Sequence, residues 1–428
     1  MPMYINNIII TIAIIILCLL WISKKSTLFY SFLLSLIFFI PAFSIGNTRI
    51  SGSYIWVALL LFVFLLNTIK THKVMFSSGA LFYIFTFAII LSISLFSAII
   101  VNILNSEGIY SLVGNIKNVT GFAAFTLVFC LLNTEELIKV LYYGMLIAGV
   151  LNLIAVLSQL FFSNSFMFFY KLYWLPSNTP LESTMQIGGF VRAFGTFSSS
   201  VLLGAVSLLV FSMGLGLFVW RKDRKWLLID VLWLIVGLFS LSKTFLAGFS
   251  IIFLVSLSIS LVHRRDFLRK NLTILAFILI IFVGGYFLLE LKGFYASYYY
   301  EFIRHPFASL LSRYSVGSTN ILLYDTYRTI LIYPLFGVGM QTKFGEFLGD
   351  SSYVVLLHNS GIVGFSIAIL FILYLFYSVL KSRSVDRLLV LIALLGSSLA
   401  LPIMFFSVYQ VPFLVYVLFL NPRQESES

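Results

Sequence analysis

From end to end the chain alternates long apolar runs with short polar interruptions. The runs fall near 5–22, 27–43, 54–69, 80–104, 118–133, 137–162, 201–220, 227–242, 245–262, 272–290, 353–380 and 388–420. Most have the roughly 18 to 25 residues a helix needs to cross a hydrocarbon layer of about 30 Å. The last is long enough for two short spans broken near Pro402, so about twelve or thirteen spans are predicted. Period-2 alternation is absent, and lipid offers no hydrogen-bond partners to an open strand, so the spans are expected to be helices. The fold class read from the pattern is an all-α, polytopic integral membrane protein with a single transmembrane domain over 1–428.

Composition sharpens this picture. The chain is 61% hydrophobic and 10% charged, with a mean hydropathy of +1.07, far from the mix of a soluble domain. The first apolar run is expected to be a true span rather than a signal peptide, because no small-x-small cleavage site follows it and Lys24 and Lys25 flank its wrong end. Cys18 and Cys130 both lie inside predicted spans, so no disulfide framework is expected. No nucleotide-binding glycine loop, low-complexity tract or convincing internal repeat is present.

The net charge of +12 is distributed in a way that speaks against nucleic acid as a partner. Basic residues gather in alternate short loops: Lys24 and Lys25; Lys70 and Lys73; Arg221, Lys222, Arg224 and Lys225; Arg264, Arg265, Arg269 and Lys270; Lys381, Arg383 and Arg387. Translocating such loops is disfavoured, so they are expected to face the cytoplasm. Glu135 and Glu136, accompanied only by Lys139, mark a weak boundary in this scheme. Two long polar segments, 163–200 and 291–352, then fall on the outer face. Long ordered loops are often functional.

Three cations stand on the outer side against the charge bias. Arg192 sits among glycines and small residues in IGGFVRAFGTFSSS, either snorkelling to lipid phosphates or held for an anion. Lys243 lies in LFSLSKTFLAGF, read as a short turn between two apolar helices, where a charge near lipid seeks a partner. Arg328 follows Tyr324 and Tyr327 at i+4 and i+1 on a short helix expected to stop before Pro334, and Asp325 is an alternative partner for it. Arg304 and Arg313 are further candidates in the same segment. Arginine and lysine bind phosphate oxygens directly, whereas a divalent ion would need clustered carboxylates. A diphosphate is therefore the expected ligand, with no metal site and no cofactor. The tyrosines of FYASYYYEF either stack on sugar rings or form an interfacial aromatic belt.

In order, VRAFGTFSSSVLLG, LFSLSKTFLAG and YPLFGVGMQTKF followed by DSSYVVLLHNSGIVGF resemble the O-antigen polymerase and ligase superfamily, most closely the Wzy-type polymerases. The resemblance covers roughly 185–380. It implies a metal-independent glycosyltransferase of the GT-C type in the bacterial inner membrane, with its active site facing the periplasm. Its substrates would be undecaprenyl-diphosphate-linked glycans, both donor and acceptor, with membrane lipids around it and a chain-length regulator protein as a further partner. Arg192 aligns with the family's first functional arginine, and Lys243 stands where ligases usually show arginine, which keeps the charge but not the bidentate fork.

Ligase-like members carry a His-Asn pair where this chain has Asp350 and Ser351, which favours the polymerase over the ligase alternative. Asp350 is then a candidate base for the acceptor hydroxyl, or an N-cap of the following helix. His358 and Asn359 are expected to hydrogen-bond between helices. The candidate catalytic residues are Arg192, Lys243 and Asp350. Arg328, Tyr324, Arg313, Arg304, Tyr353 and His358 make up the candidate substrate-binding set. A transporter or flippase is the alternative from another class.

Overall fold

Every predicted apolar run that falls among the described residues is wholly or partly helical. The computed structural model describes residues 2–45, 48–71, 78–105, 120–121, 123–125, 128–129, 132, 134–173, 186–187, 190–263, 304–305, 322–339, 351–401 and 408–419. In chain order the helices are α1 (Pro2–Ile22), α2 (Ser26–Ser35), α3 (Ser53–Thr71), α4 (Ser78–Asn105), α5 (Thr134–Phe161), α6 (Ser163–Tyr173) and α7 (Ser200–Trp220). They continue with α8 (Trp226–Phe239), α9 (Lys243–His263), α10 (Leu322–Ile332), α11 (Ser352–Lys381), α12 (Val385–Ala400) and α13 (Val411–Phe419). Two antiparallel ladders of two or three residues per strand, Phe43–Ile45 with Thr48–Ile50 and Gln186–Ile187 with Phe190–Val191, and two 3-10 turns, Leu36–Phe38 directly after α2 and Val408–Gln410 directly before α13, add short regular structure. Among the described residues, α1, α4, α5, α7 and α11 are long and apolar enough to cross a membrane, and α2, α3, α8 and α9 are shorter apolar helices. This is the build of a membrane protein; the expected span at 272–290 lies outside the described residues.

Burial ranks the helices by position. Apolar on every face, α7 is 83% buried along its span and forms the centre, whereas α1 is only 17% buried and lies at the periphery. Around α7 pack α8, α9 and α12. α5 lies between α2 and α8, with the Trp233 Nε1–H donating to the Met145 carbonyl at 3.0 Å.

Proline sets two breaks. The expected span at 27–43 stops at Phe38, since Pro41 disfavours helical geometry in the residue before it, and the chain turns into the first ladder. At the far end α12 finishes at Ala400 and Leu401 is extended (φ −150°, ψ 149°) ahead of Pro402, so the 388–420 run is divided at the expected place.

The described basic turns, at 23–25, 221–225 and 382–384, gather at one end of the bundle. Tyr142 of α5 meets Trp226 at the start of α8, with ring centroids 5.5 Å apart. Asn67 near the end of α3 donates to the Tyr30 hydroxyl of α2 at 3.2 Å. Arg221 pairs with Asp386 at 3.5 Å, and Asp386 also accepts from Tyr416 at 2.6 Å and from Ser384 at 2.5 Å. The opposite end carries the 192–200 segment. The sequence pattern places that segment in an outer loop, yet Arg192–Phe197 and Ser200 are buried. It enters the bundle instead, and the reason lies in the polar side chains of α5.

Candidate functional site

Lipid-depth backbone that is not helical must find hydrogen bonds inside the protein. For residues 194–196 two amide side chains of α5 supply them. Gln159 Oε1 accepts from the Phe194 and Gly195 N–H groups, both at 3.0 Å, and Gln159 Nε2 donates back to the Gly195 carbonyl at 2.7 Å. Asn152 Oδ1 accepts from the Thr196 N–H at 3.0 Å, while the Thr196 hydroxyl donates to the Phe38 carbonyl. Gly195 has φ +58°, and a Cβ there would lie 2.4 Å from Asn152 Oδ1, so the loop needs glycine at this point. Asn152 sits nine residues before the end of α5, about 13 Å along the helix.

Arg192 leads this re-entrant loop and is 8% exposed. Its Nε donates to the Ser240 carbonyl at 3.4 Å and its Nη2 to the Leu241 carbonyl at 3.2 Å. Both acceptors belong to the end of α8, where carbonyls lack helical partners and a cation is favoured. The turn that carries them is fixed by its own serines. Ser240 Oγ donates to the Gly237 carbonyl at 2.6 Å and accepts from the Ser242 N–H at 3.3 Å. Ser242 Oγ then accepts from the Phe245 N–H at 3.4 Å, capping α9, whose first residue is Lys243. Leu241 between them holds φ +49°, a left-handed conformation that costs a non-glycine residue about 1–2 kcal/mol. The first two sequence segments thus meet, with Arg192 gripping the carbonyls just ahead of half-buried Lys243.

Two helix N-termini converge on the same place. α7 is capped by Ser199, whose hydroxyl accepts from the Leu202 N–H at 3.2 Å. One turn into α7, a Cβ on Gly204 would lie 2.4 Å from Ser242 Cβ and 2.9 Å from Ser240 Oγ, so the absent side chain lets α7 approach the start of α9. Orphan N–H groups and helix dipoles at such ends favour anions. Among the described residues no group of three or more His, Cys, Asp or Glu side chains is placed to hold a metal ion.

The third segment has a different role in the fold. Within α11, Gly361 adopts φ 60°, ψ −164° and kinks the helix, a geometry open to glycine. The backbone groups freed by the kink are taken up by the turn at 334–339. Val338 and Gly339 N–H donate to the His358 and Asn359 carbonyls at 2.9 and 3.0 Å, and Ile362 and Val363 N–H donate to the Pro334 and Leu335 carbonyls at 2.8 and 3.1 Å. His358 Nδ1 lies 2.9 Å from Asn359 Oδ1. The backbone carbonyls of these two residues, exposed by the kink, thus carry bonds between elements.

The remaining candidates are spread out. Tyr324 and Arg328 are exposed on α10, opposite fully buried Thr326, and α10 packs on α11. Tyr353 donates to the Leu395 carbonyl at 3.4 Å. Arg304 is exposed, and Arg313 and Asp350 lie outside the described residues. The cap of α11 is Ser351, which accepts from the Tyr353 N–H at 3.3 Å, so the capping alternative for Asp350 is replaced by its neighbour.

Sequence reasoning missed Asn152 and Gln159. The signal was there, since two amides seven residues apart in an apolar run share one helix face. In comparisons with known proteins the chain matches no family model and no curated protein.

Proposed function

We propose that this protein is a membrane glycosyltransferase that polymerises oligosaccharide repeat units carried on a polyprenyl diphosphate at the outer face of the bacterial inner membrane. One observation carries the reading: Arg192, on a re-entrant loop, is bonded to the turn that starts the Lys243 helix, beside two convergent helix N-termini. An acceptor sugar hydroxyl attacks the anomeric carbon of the growing glycan, the bond from that carbon to the diphosphate oxygen breaks, and the lipid diphosphate departs with the electron pair. Arg192 and Lys243 offset the charge that builds on the leaving oxygens, and Arg328 aids in binding. Asp350 accepts the proton of the acceptor hydroxyl. Charge stabilisation of this kind is commonly the largest catalytic contribution, and removing one such contact lowers the rate by about 10²–10³.

In a strain lacking the gene, complementation with Arg192→Ala should leave the protein in the membrane but yield no long-chain glycan; normal chain length on a gel rules out the role given to Arg192. With Ser351 as cap, Asp350→Asn tests the base alone, and full activity there removes Asp350 from the mechanism. Loss of the gene itself separates polymerase from ligase, leaving single-repeat lipopolysaccharide in the first case and unmodified core in the second.

A transporter reading draws on another observation. Asp230 of α8 is 3% exposed, and both carboxyl oxygens lack a hydrogen-bond partner among the described residues; buried ionisable groups in spans often mark ion or proton paths. Proton-coupled uptake of lipid-linked sugar into vesicles, lost in Asp230→Asn, would favour that reading over the polymerase.

A further inference from the structure

The seam between α7 and α9 holds hydroxyls that the mechanism above does not use. Ser200 is 1% exposed and Thr244 6%, and the hydroxyl oxygen of each is buried without a hydrogen-bond partner among the described residues. Leaving a hydroxyl buried and unsatisfied destabilises a fold, and native structures usually avoid it.

Helical spacing places the two residues. Ser200 and Gly204 are four residues apart and share a face of α7, and Gly204 abuts Ser240 and Ser242. Thr244 and Gly248 likewise share a face of α9, and a Cβ on Gly248 would lie 2.2 Å from a methyl carbon of Leu208 on α7. Ser200 and Thr244 therefore lie in the first turns of the two helices that meet at this seam. Arg192 is bonded to the turn that leads into α9. Deeper in the seam the rings of Phe211 and Phe249, with centroids 4.9 Å apart, close it.

The geometry points to the Ser200 and Thr244 hydroxyls as donors to the oxygens of a phosphate or diphosphate group that enters between the two helix N-termini. The inference rests on reading the site as one for a lipid diphosphate, and it adds a neutral, directional element to the positive charge of Arg192 and Lys243. A hydroxyl both donates and rotates, so the pair follows the phosphate oxygens as the sugar leaves. Neither hydroxyl has a partner among the described residues, and the oxygens of an anion at these N-termini supply one to each.

This arrangement has a signature that a packing role lacks. Removing an unsatisfied buried hydroxyl leaves the empty protein as stable or makes it more stable, yet weakens its hold on the anion. The test is calorimetric titration of the purified full-length protein in detergent with inorganic pyrophosphate, together with thermal unfolding. Ser200→Ala and Thr244→Val should each bind pyrophosphate about ten- to a hundred-fold more weakly than wild type, as expected for loss of one hydrogen bond to a charged group. Their unfolding midpoints should equal or exceed that of wild type, and Thr244→Ser should restore binding.

Ser207→Ala is the control, because Ser207 is another buried hydroxyl without a partner among the described residues, placed about 10 Å further along α7. It should bind as wild type does. Unchanged pyrophosphate affinity in Ser200→Ala and Thr244→Val overturns the inference, as does an equal loss in Ser207→Ala or a wild type that binds no pyrophosphate. Glycan length in cells reports separately on the proposed function. Hydroxyl-dependent binding in a protein that polymerises nothing would keep the anion site and discard the polymerase, whereas polymerisation with hydroxyl-independent binding would do the reverse.

Discussion

At Gly214 a Cβ would lie 1.9 Å from Asp230 Oδ1, so the central helix has shed a side chain to admit a carboxyl group that no described residue bonds. Gly214→Ala should destabilise the protein by about 1–3 kcal/mol, the usual effect of overpacking. Combining it with Asp230→Ala, which removes the colliding atoms, should recover most of that loss in thermal unfolding. Additive effects of the two changes would show that the pair does not touch. At this scale the sequence discloses charge better than satisfaction. Arg192 and Lys243 stand out because they interrupt apolar or small-residue stretches on the side where cations are rare. Asn152, Gln159, Ser200 and Thr244 do not, since amides and hydroxyls occur in spans for many local reasons. Only the backbone they meet, or the partner they lack among the described residues, reveals what they do.

Among elements, α11 depends most on a single residue. Gly361→Ala puts a side chain on a backbone conformation essentially reserved for glycine, at about 1–3 kcal/mol, and brings its Cβ to 2.3 Å from the Leu335 carbonyl oxygen. It should lower the unfolding midpoint and reduce the amount of protein in membranes, and Gly337→Ala, with φ +68° and its Cβ 2.4 Å from the His358 carbonyl oxygen, should behave alike. Wild-type yield and midpoint for both would mean that the turn at 334–339 is not docked in the kink. Both segments are visible in the sequence as glycine-bearing stretches, but their exchange of backbone bonds is not, because side-chain pattern is silent on which carbonyls a kink sets free. The break before Pro402 is legible for the opposite reason: proline acts on its own neighbour. Pro41 carries the same signal, and the apolar run that surrounds it masks it.

For the whole molecule, the turns at 23–25, 221–225 and 382–384 define one end and the 192–200 loop the other. On a background free of Cys18 and Cys130, Asn164→Cys at the loop end should react with a membrane-impermeant maleimide in intact cells. Arg383→Cys should react only after permeabilisation. Labelling of both from one side would refute the orientation drawn from the charge bias. The positions of the apolar helices among the described residues follow from hydropathy, and lysine and arginine placement supplies the expected orientation that this labelling tests. The ranking of helices from centre to rim does not, since α1 and α7 are both strongly apolar and only their neighbours distinguish them.

Asn152 and Gln159 together act as a ruler. Because they hold consecutive parts of the loop, the seven-residue interval between them measures the advance of the irregular chain against the rise of a helix. Adding a single residue inside that interval would turn one amide by about 100° relative to the other and release one of the two grips. The depth at which Arg192 is presented is therefore written into the length of α5, a helix that contributes no charge to the site.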